Sequence, residues 1–444
     1  MTQLRRELSL FDLTMIAVGS TIGSGIFLTP SLIAHQLQWP VWILLAWVTG
    51  GLMALSGALT LSEVGAMMPE AGGIYVFLTK AYGDLAGFLF GWAYFLVANT
   101  GSLAALGIAF ATYLSYIVPL NSTGVILVAI GGIVVLTAIN VFGVKAGGIF
   151  SDIFTVLKLA GIAGLIFVGF VWGSSSTTNF AAAPGRPPAG WDMGFALAMV
   201  GVLWSIGGWQ HATFTAAEAK DPQRNLPRAM ILAAVIITLT YILVVVSLLF
   251  MMTPAQMGAS AHPAADAVGS VLGNVGGIAI ALAVFVSTFG TTGIYTLTAP
   301  RIYYAMARDG LFFRKVAELH PRYQTPAFAI VTQSIWAIVL ILFWGTFENL
   351  ISYVVFTDWI FYAMAGASIF IMRAKEPNMP RPFRTPGYPW VPIFFVTLAS
   401  WFVVNTFITR PEQAGAGIAF LALGVPVYYL WNHQRKKQSV TIHS

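Results

Sequence analysis

The stretch Val18-Gly-Ser-Thr-Ile-Gly-Ser-Gly-Ile-Phe27 decides the fold. It lies in the first hydrophobic run of the chain, where Gly23-Ser24-Gly25 interrupts what otherwise has the composition of a membrane span. Backbone groups in lipid must satisfy one another, so a spanning helix breaks only where the freed N–H and C=O groups face protein, water or a ligand. A second interruption, Trp204-Ser-Ile-Gly-Gly-Trp209, follows roughly half the chain later. Two broken spans in corresponding positions of two inverted halves are the mark of a repeat-built transporter whose solute binds between them. The competing reading is that the glycines only let neighbouring helices pack closely.

The rest of the chain supports a membrane setting. Of 444 residues, 58% are hydrophobic and 9% charged, against about 25% charged in a soluble domain. Runs of about 20 apolar residues, the length that crosses a bilayer, fall at 12–36, 41–66, 85–117, 124–142 and 149–172. A second set falls at 194–217, 228–252, 275–304, 327–345 and 350–372, and two more at 389–408 and 414–432. The expected fold class is therefore an all-α membrane protein of twelve transmembrane helices. They form one integral domain over 1–444, with repeats at about 12–172 and 194–372 and accessory helices within about 389–432. The first run continues into glycine-rich sequence without a small-residue cleavage site, so it is expected to remain as the first helix.

Charge placement orients the chain. The even span count puts both termini on one side, and that side collects the basic residues, among them Arg5, Arg6, Lys145, Arg224, Arg322, Arg435, Lys436 and Lys437. Only Arg186 and Arg410 fall opposite, and Lys158 falls inside a span, so both termini are expected to be cytoplasmic. The net charge of +6 is spread between spans and forms no patch for nucleic acid. With no cysteine, the chain has no disulfide-linked partner and no thiolate chemistry. It also lacks an HExxH motif, a Walker-type loop and paired catalytic aspartates, so neither an enzyme nor a pump is expected, nor any cofactor or metal. A channel would need filter loops or charged rings, which are absent from the sequence. Asn121-Ser122-Thr123 matches a glycosylation sequon, a pattern too short to carry function.

The two breaks define a candidate site for a zwitterion. Backbone N–H groups opening the helical segment near Ile26 sit at a positive dipole end of about half a charge, suited to a carboxylate. Carbonyls released before that break, and others around Trp204 to Gly207, accept from an ammonium. An α-amino acid carries the matching pair. The candidate binding residues are Thr21, Ile22, Gly23, Ser24, Gly25 and Ile26 with Trp204, Ser205, Ile206 and Gly207, and the aromatic residues Trp204 and Tyr241 are candidates for sorting side chains.

At these residues the chain resembles amino-acid transporters of the amino acid, polyamine and organocation superfamily. It is most similar to the L-type branch and to bacterial serine/threonine or alanine/serine exchangers. Ile22-Gly-Ser-Gly-Ile-Phe27 with Thr29-Pro30 resembles the family's substrate loop, and Gly207-Gly-Trp-Gln210 its second unwound segment. Asp221-Pro-Gln-Arg-Asn-Leu-Pro-Arg228, Met306-Ala-Arg-Asp-Gly-Leu311 with His320-Pro321 and Thr325-Pro326, and Arg381-Pro-Phe-Arg-Thr-Pro-Gly-Tyr-Pro389 resemble its cytoplasmic runs in the expected order. The resemblance implies the five-plus-five inverted repeat of the leucine-transporter type with two accessory helices. It implies that the amides of Ser24, Gly25 and Ile26 hold the carboxylate and that carbonyls near Thr21, Trp204 and Ile206 take the amino group. Trp204 stands where the family has a phenylalanine outer gate, Gln210 replaces a common asparagine, and Tyr241 matches a tyrosine of the cytoplasmic-side gate.

One charge lies inside a span. An unpaired Lys158 costs about 2.5–3.5 kcal/mol there on insertion scales, so its ammonium either snorkels to the interface or finds acceptors. The sharper reading places it on carbonyls near Gly19 and on a hydroxyl such as that of Ser287. In L-type relatives a matching lysine stands where sodium-coupled relatives bind their cation, which implies sodium independence. Glu63, Asp358, His211 and Glu218 are further ionisable groups near or within spans, and Asp358 has no sequence-local partner. No acidic residue adjoins either break in sequence, which favours neutral substrates, and the bulky Trp204 favours small ones. The expected function is sodium-independent exchange of neutral L-amino acids by alternating access, with proton symport or uniport as the alternatives. The expected partners are the amino acid and the lipid bilayer, and the protein is expected to work as a monomer in the cell membrane.

Overall fold

The structure is a computed structural model that describes residues 6, 8–142, 144–173, 191–321, 325–344 and 346–443, without side chains for 144–152 and 434–443. Arg5, Arg186 and Arg322, and the side chains of Lys145, Arg435, Lys436 and Lys437, thus lie outside the described residues.

Among the described residues, eleven helices are long and apolar enough to cross a membrane. Large apolar side chains such as Leu127, Val275 and Phe343 point outward, 64%, 81% and 78% exposed. In water such a surface would drive association, whereas lipid accepts it. The protein is a multi-pass membrane protein.

Local chemistry sets the helix ends. Ser9 and Asp12 form a capping box at Leu10–Thr21, with the Ser9 amide donating to Asp12 Oδ2 at 2.7 Å and the Asp12 amide to Ser9 Oγ at 3.3 Å. Asn121 of the sequon is the N-cap of Ser122–Val141, its Oδ1 accepting from the Gly124 amide at 2.8 Å. Proline opens Pro40–Met67, Pro222–Met251 and Pro263–Thr298, where its missing N–H removes no helical bond.

Three expected spans differ in detail. The run 12–36 divides into Leu10–Thr21 and Gly25–Leu37. The run 194–217 is a helix only over Trp191–Ile206, 16 residues, followed by a single turn at His211–Phe214 and a 3₁₀ turn at Ala216–Glu218. The run 275–304 belongs to a helix that begins at Pro263, kinks at Gly273 (φ 72°) and ends at Thr298, before Pro300 opens Pro300–Arg308. The sequence reading assigned no helix to Ile74–Tyr82, whose nine residues are too few for a span.

A buried ion cluster joins distant parts of the chain. Glu63, fully buried in Pro40–Met67, accepts from Arg373 Nε and Nη2 at 2.9 and 2.8 Å and from the Thr385 amide at 2.7 Å. Arg381 Nε lies 3.6 Å from the same carboxylate, and the Arg373 guanidinium stacks 3.5 Å from the Tyr388 ring centre. The Arg381–Pro389 run is therefore a strap that closes over Glu63. Removing one partner of a buried pair strands the other. Glu63→Ala is expected to lower stability by about 2–3 kcal/mol, less than a fully enclosed pair because Arg373 is 27% exposed. Thermal unfolding in detergent checks this, and an unchanged midpoint would contradict it.

Candidate functional site

The two breaks meet. Gly25, the first residue of its helix, is pressed against the other break: a Cβ there would lie 2.5 Å from Ser205 Cα. Gly208 adopts φ 128°, and a Cβ on it would lie 2.7 Å from both Thr21 Cα and N. A side chain at Gly23 would meet Thr291 and Leu106 at 3.0 and 3.2 Å. These glycines let the broken segments and the Thr291 helix touch, as small residues do between membrane helices. Hydrogen bonds reinforce the contact: Ser20 Oγ donates to the Gly208 carbonyl at 2.9 Å, and the hydroxyls of Thr29 and Ser205 are 2.7 Å apart.

Free backbone groups remain at both breaks. Phe27 and Leu28 are the first amides to bond back, to the Ser24 carbonyl at 3.2 and 3.0 Å. Among the described residues, the amides of Ser24, Gly25 and Ile26 have no backbone acceptor, as expected for the first amides of a helix. At the other break the Gly208 amide turns to Gln210 Oε1 at 2.8 Å, away from the Trp204 carbonyl one turn behind. That carbonyl and those of Ser205 and Ile206 thus end their helix without the next turn's amides. Gln210 also donates from Nε2 to the Tyr362 hydroxyl.

Tyr241 bridges the two. Its hydroxyl is shared between the Thr21 carbonyl at 3.0 Å and the Ser205 carbonyl at 3.1 Å, and the residue is 1% exposed. The Thr21 carbonyl also takes the Gly23 amide at 2.9 Å, so of the carbonyls expected near an amino group it is the most occupied. Tyr241→Phe removes the bridge while keeping the ring edge-on to Trp47 at 5.5 Å. The expected result is a midpoint lowered by the equivalent of about 1 kcal/mol and transport slowed about tenfold, read by thermal unfolding and proteoliposome uptake. Equal rates in the two proteins would contradict the bridge.

Trp204 covers the site. It is half-buried, with its indole N–H 3.3 Å from Ser24 Oγ and its ring edge-on to Phe347 at 6.0 Å.

Lys158 is 1% exposed and does not snorkel. Its Nζ donates to the Gly19 carbonyl at 2.8 Å, the Ile22 carbonyl at 2.8 Å and Thr291 Oγ1 at 2.6 Å, which uses all three ammonium protons. Gly19 makes room for that helix, since a Cβ would fall 2.6 Å from Thr155 Oγ1. The hydroxyl partner is thus Thr291, not Ser287. Four residues apart, both lie on one helix face, but among the described residues Ser287 Oγ has no hydrogen-bond partner and Ser287 enters through its carbonyl, 3.0 Å from Thr291 Oγ1.

The other ionisable groups separate by role. Glu218 pairs with Arg301 at 3.0 Å, a residue 83 positions on in the chain. His211 is fully buried between the Tyr94 hydroxyl at 3.0 Å and Thr298 Oγ1 at 2.9 Å. Asp358 faces a cavity that Trp204, Gly207, Gly208 and Gln210 also line. Sequence inspection missed this neighbour of the second break.

A helical membrane protein with two broken helices in contact, helix-opening amides without backbone acceptors at one break and helix-ending carbonyls at the other, has the build of a secondary transporter. The model of the amino acid permease family matches residues 8–429, and the chain belongs to that family. It is 31% identical over 429 residues to the serine/threonine exchanger SteT of Bacillus subtilis (strain 168), covering 96% of this chain and 97% of that protein. It is 30% identical to the human large neutral amino acids transporter small subunit 2, over 98% of this chain and 82% of that protein. The human b(0,+)-type amino acid transporter 1 is 29% identical, over 100% and 92%. The protein is a membrane transporter, not an enzyme.

Proposed function

We propose that this protein exchanges L-amino acids across the cell membrane by alternating access, without sodium. The observation that carries the reading is the contact of the two breaks, with amides at Ser24–Ile26 that lack a backbone acceptor among the described residues and, at the other break, the Trp204 and Ile206 carbonyls that end Trp191–Ile206 without the next turn's amides. The amides receive the substrate carboxylate, and the carbonyls of Trp204 and Ile206 receive its ammonium. Ile22, Gly23, Ser205 and Gly207 shape the backbone around it. Trp204 acts as the outer gate, and Tyr241 ties the two segments on the inner side. Exchange activity in the names of SteT and transport of neutral amino acids in those of the large neutral transporters support this reading.

Trp191–Ile206 serves as a twelfth span, completing a five-plus-five inverted repeat over about 12–172 and 194–372 with two accessory helices. Both termini lie in the cytoplasm, and the carrier works as a monomer, since a chain with no cysteine has no disulfide-linked partner. Lys158 stands in for a coupling cation by holding the Gly19 and Ile22 carbonyls. Uptake into proteoliposomes loaded with amino acid is expected to be equal in sodium and in choline buffers. A severalfold stimulation by sodium would overturn the cation-substitute role while leaving exchange itself standing.

A further inference from the structure

The cavity beside Gly207 has an unusual lining. Its side walls are Tyr94, Trp204, Tyr295, Trp359 and Tyr362, its one ionisable acid is Asp358, and no lysine, arginine or histidine lines it. None of residues 21–26 lines it, and it opens beside the second break. Asp358 lies in the middle of the membrane-spanning helix Phe347–Lys375 and keeps part of its surface exposed where it lines the cavity. Tyr362, four residues on along the same helix, lines the cavity with it. Tyr362 receives Gln210 Nε2, and Gln210 Oε1 holds the Gly208 amide, so the cavity wall that Asp358 shares is tied to the broken helix itself.

A carboxylate without a basic neighbour, walled by five aromatic rings, is a receptor for positive charge. Aromatic faces attract cations through their quadrupoles, and ring cages are the common device for binding ammonium groups. A carboxylate adds a charge-assisted hydrogen bond. An ionisable residue within the membrane and facing a cavity marks a substrate or ion pathway. We propose that this cavity is the side-chain subsite for a cationic substrate, and that the carrier exchanges amino acids with ammonium or guanidinium side chains, such as lysine, ornithine and arginine, alongside neutral ones. The inference rests on the proposed seating of the α-carboxylate and α-ammonium at the two breaks. It widens the substrate range expected from the sequence, because the fold brings Asp358 to a break from which it is remote in the chain.

Trp204 controls entry. The free space is about 20 Å³, room for a single water, so a cationic side chain enters only when the indole swings aside. The ring is half-buried and held by one 3.3 Å hydrogen bond to Ser24 and an edge contact with Phe347.

The test is counterflow in proteoliposomes loaded with unlabelled alanine or lysine, with labelled alanine, serine, lysine and arginine outside, for the wild type, Asp358→Asn and Asp358→Glu. The wild type is expected to take up lysine or arginine against either internal amino acid. In Asp358→Asn the ratio of lysine to alanine uptake falls about tenfold or more, and in Asp358→Glu it is partly restored. Wild-type exchange of alanine or serine with no uptake of, or inhibition by, lysine and arginine overturns this inference and leaves the exchanger reading intact. An equal loss of all substrates in Asp358→Asn, with no recovery in Asp358→Glu, also overturns it and makes Asp358 a structural residue. Alanine uptake whose pH dependence disappears in Asp358→Asn, without lysine transport, overturns it in favour of a proton at Asp358. Failure of the wild type to exchange any amino acid overturns the functional reading on which the inference stands.

Discussion

Lys158→Ala is expected to leave a folded protein whose exchange is at least about thirtyfold slower. The ammonium closes a three-way contact between its own helix, the carbonyls of Gly19 and Ile22, and Thr291. Alanine leaves both carbonyls in an apolar interior with only the Thr291 hydroxyl, 3.3 and 3.0 Å away, to serve them. An unsatisfied buried group costs about 1–3 kcal/mol, and about 2 kcal/mol transferred to the barrier of the transport cycle is close to thirtyfold in rate. The same loss loosens the end of Leu10–Thr21, so a thermal midpoint lower by several degrees is expected. Two measurements check this: uptake at saturating substrate and unfolding in detergent. Unchanged uptake would mean that the ammonium neither holds the first break nor stands in for a cation.

Gly208→Ala is expected to abolish transport and to destabilise the fold by roughly 3–5 kcal/mol, combining backbone strain with overpacking. At φ 128° an L-residue is strained in any surroundings. The new methyl would also sit 2.7 Å from Thr21 Cα and N and 2.8 Å from the Ser20 carbonyl carbon, backbone atoms that no rotamer change moves aside. Separating the breaks breaks the Ser20 to Gly208 bond and stretches the Tyr241 bridge. Gly207→Ala is the internal control, because its Cβ would meet only the Leu203 and Trp204 carbonyls at 3.2 and 3.6 Å, without a positive φ. It is expected to lose less than about tenfold in rate and about 1 kcal/mol in stability. Equal effects at the two glycines, read by uptake and thermal unfolding, would contradict the packed contact between the breaks.

Local signals in the sequence carried most of this architecture. Apolar runs located the membrane helices because lipid demands long uninterrupted apolar stretches, and glycine pairs located both breaks because backbone freedom is written in residue type. The buried role of Lys158 was legible as well, since a lone cation in a span must find acceptors. Which surfaces the glycines bring together was not. That Gly25 rests on Ser205 and Gly208 on Thr21 is a fact of tertiary packing between segments far apart in the chain. The choice of Thr291 over Ser287 was equally hidden, because residues four apart share a helix face and only the lysine's reach separates them. Asp358 was seen as an ionisable group but not as a neighbour of Gly207, for no local pattern records which helix closes against which. The short helix Ile74–Tyr82 escaped because nine residues are too few for the span criterion.

The central claim is that an amino acid binds where the two breaks meet and is carried in exchange for another. The most direct test is uptake of labelled alanine, serine and threonine into proteoliposomes, with and without unlabelled amino acid inside, at fixed pH and without sodium. The account predicts uptake that is strong in loaded vesicles, weak in empty ones and lost in Gly208→Ala. Equal uptake into empty and loaded vesicles would contradict exchange, and no uptake of any amino acid would contradict the assignment of the site.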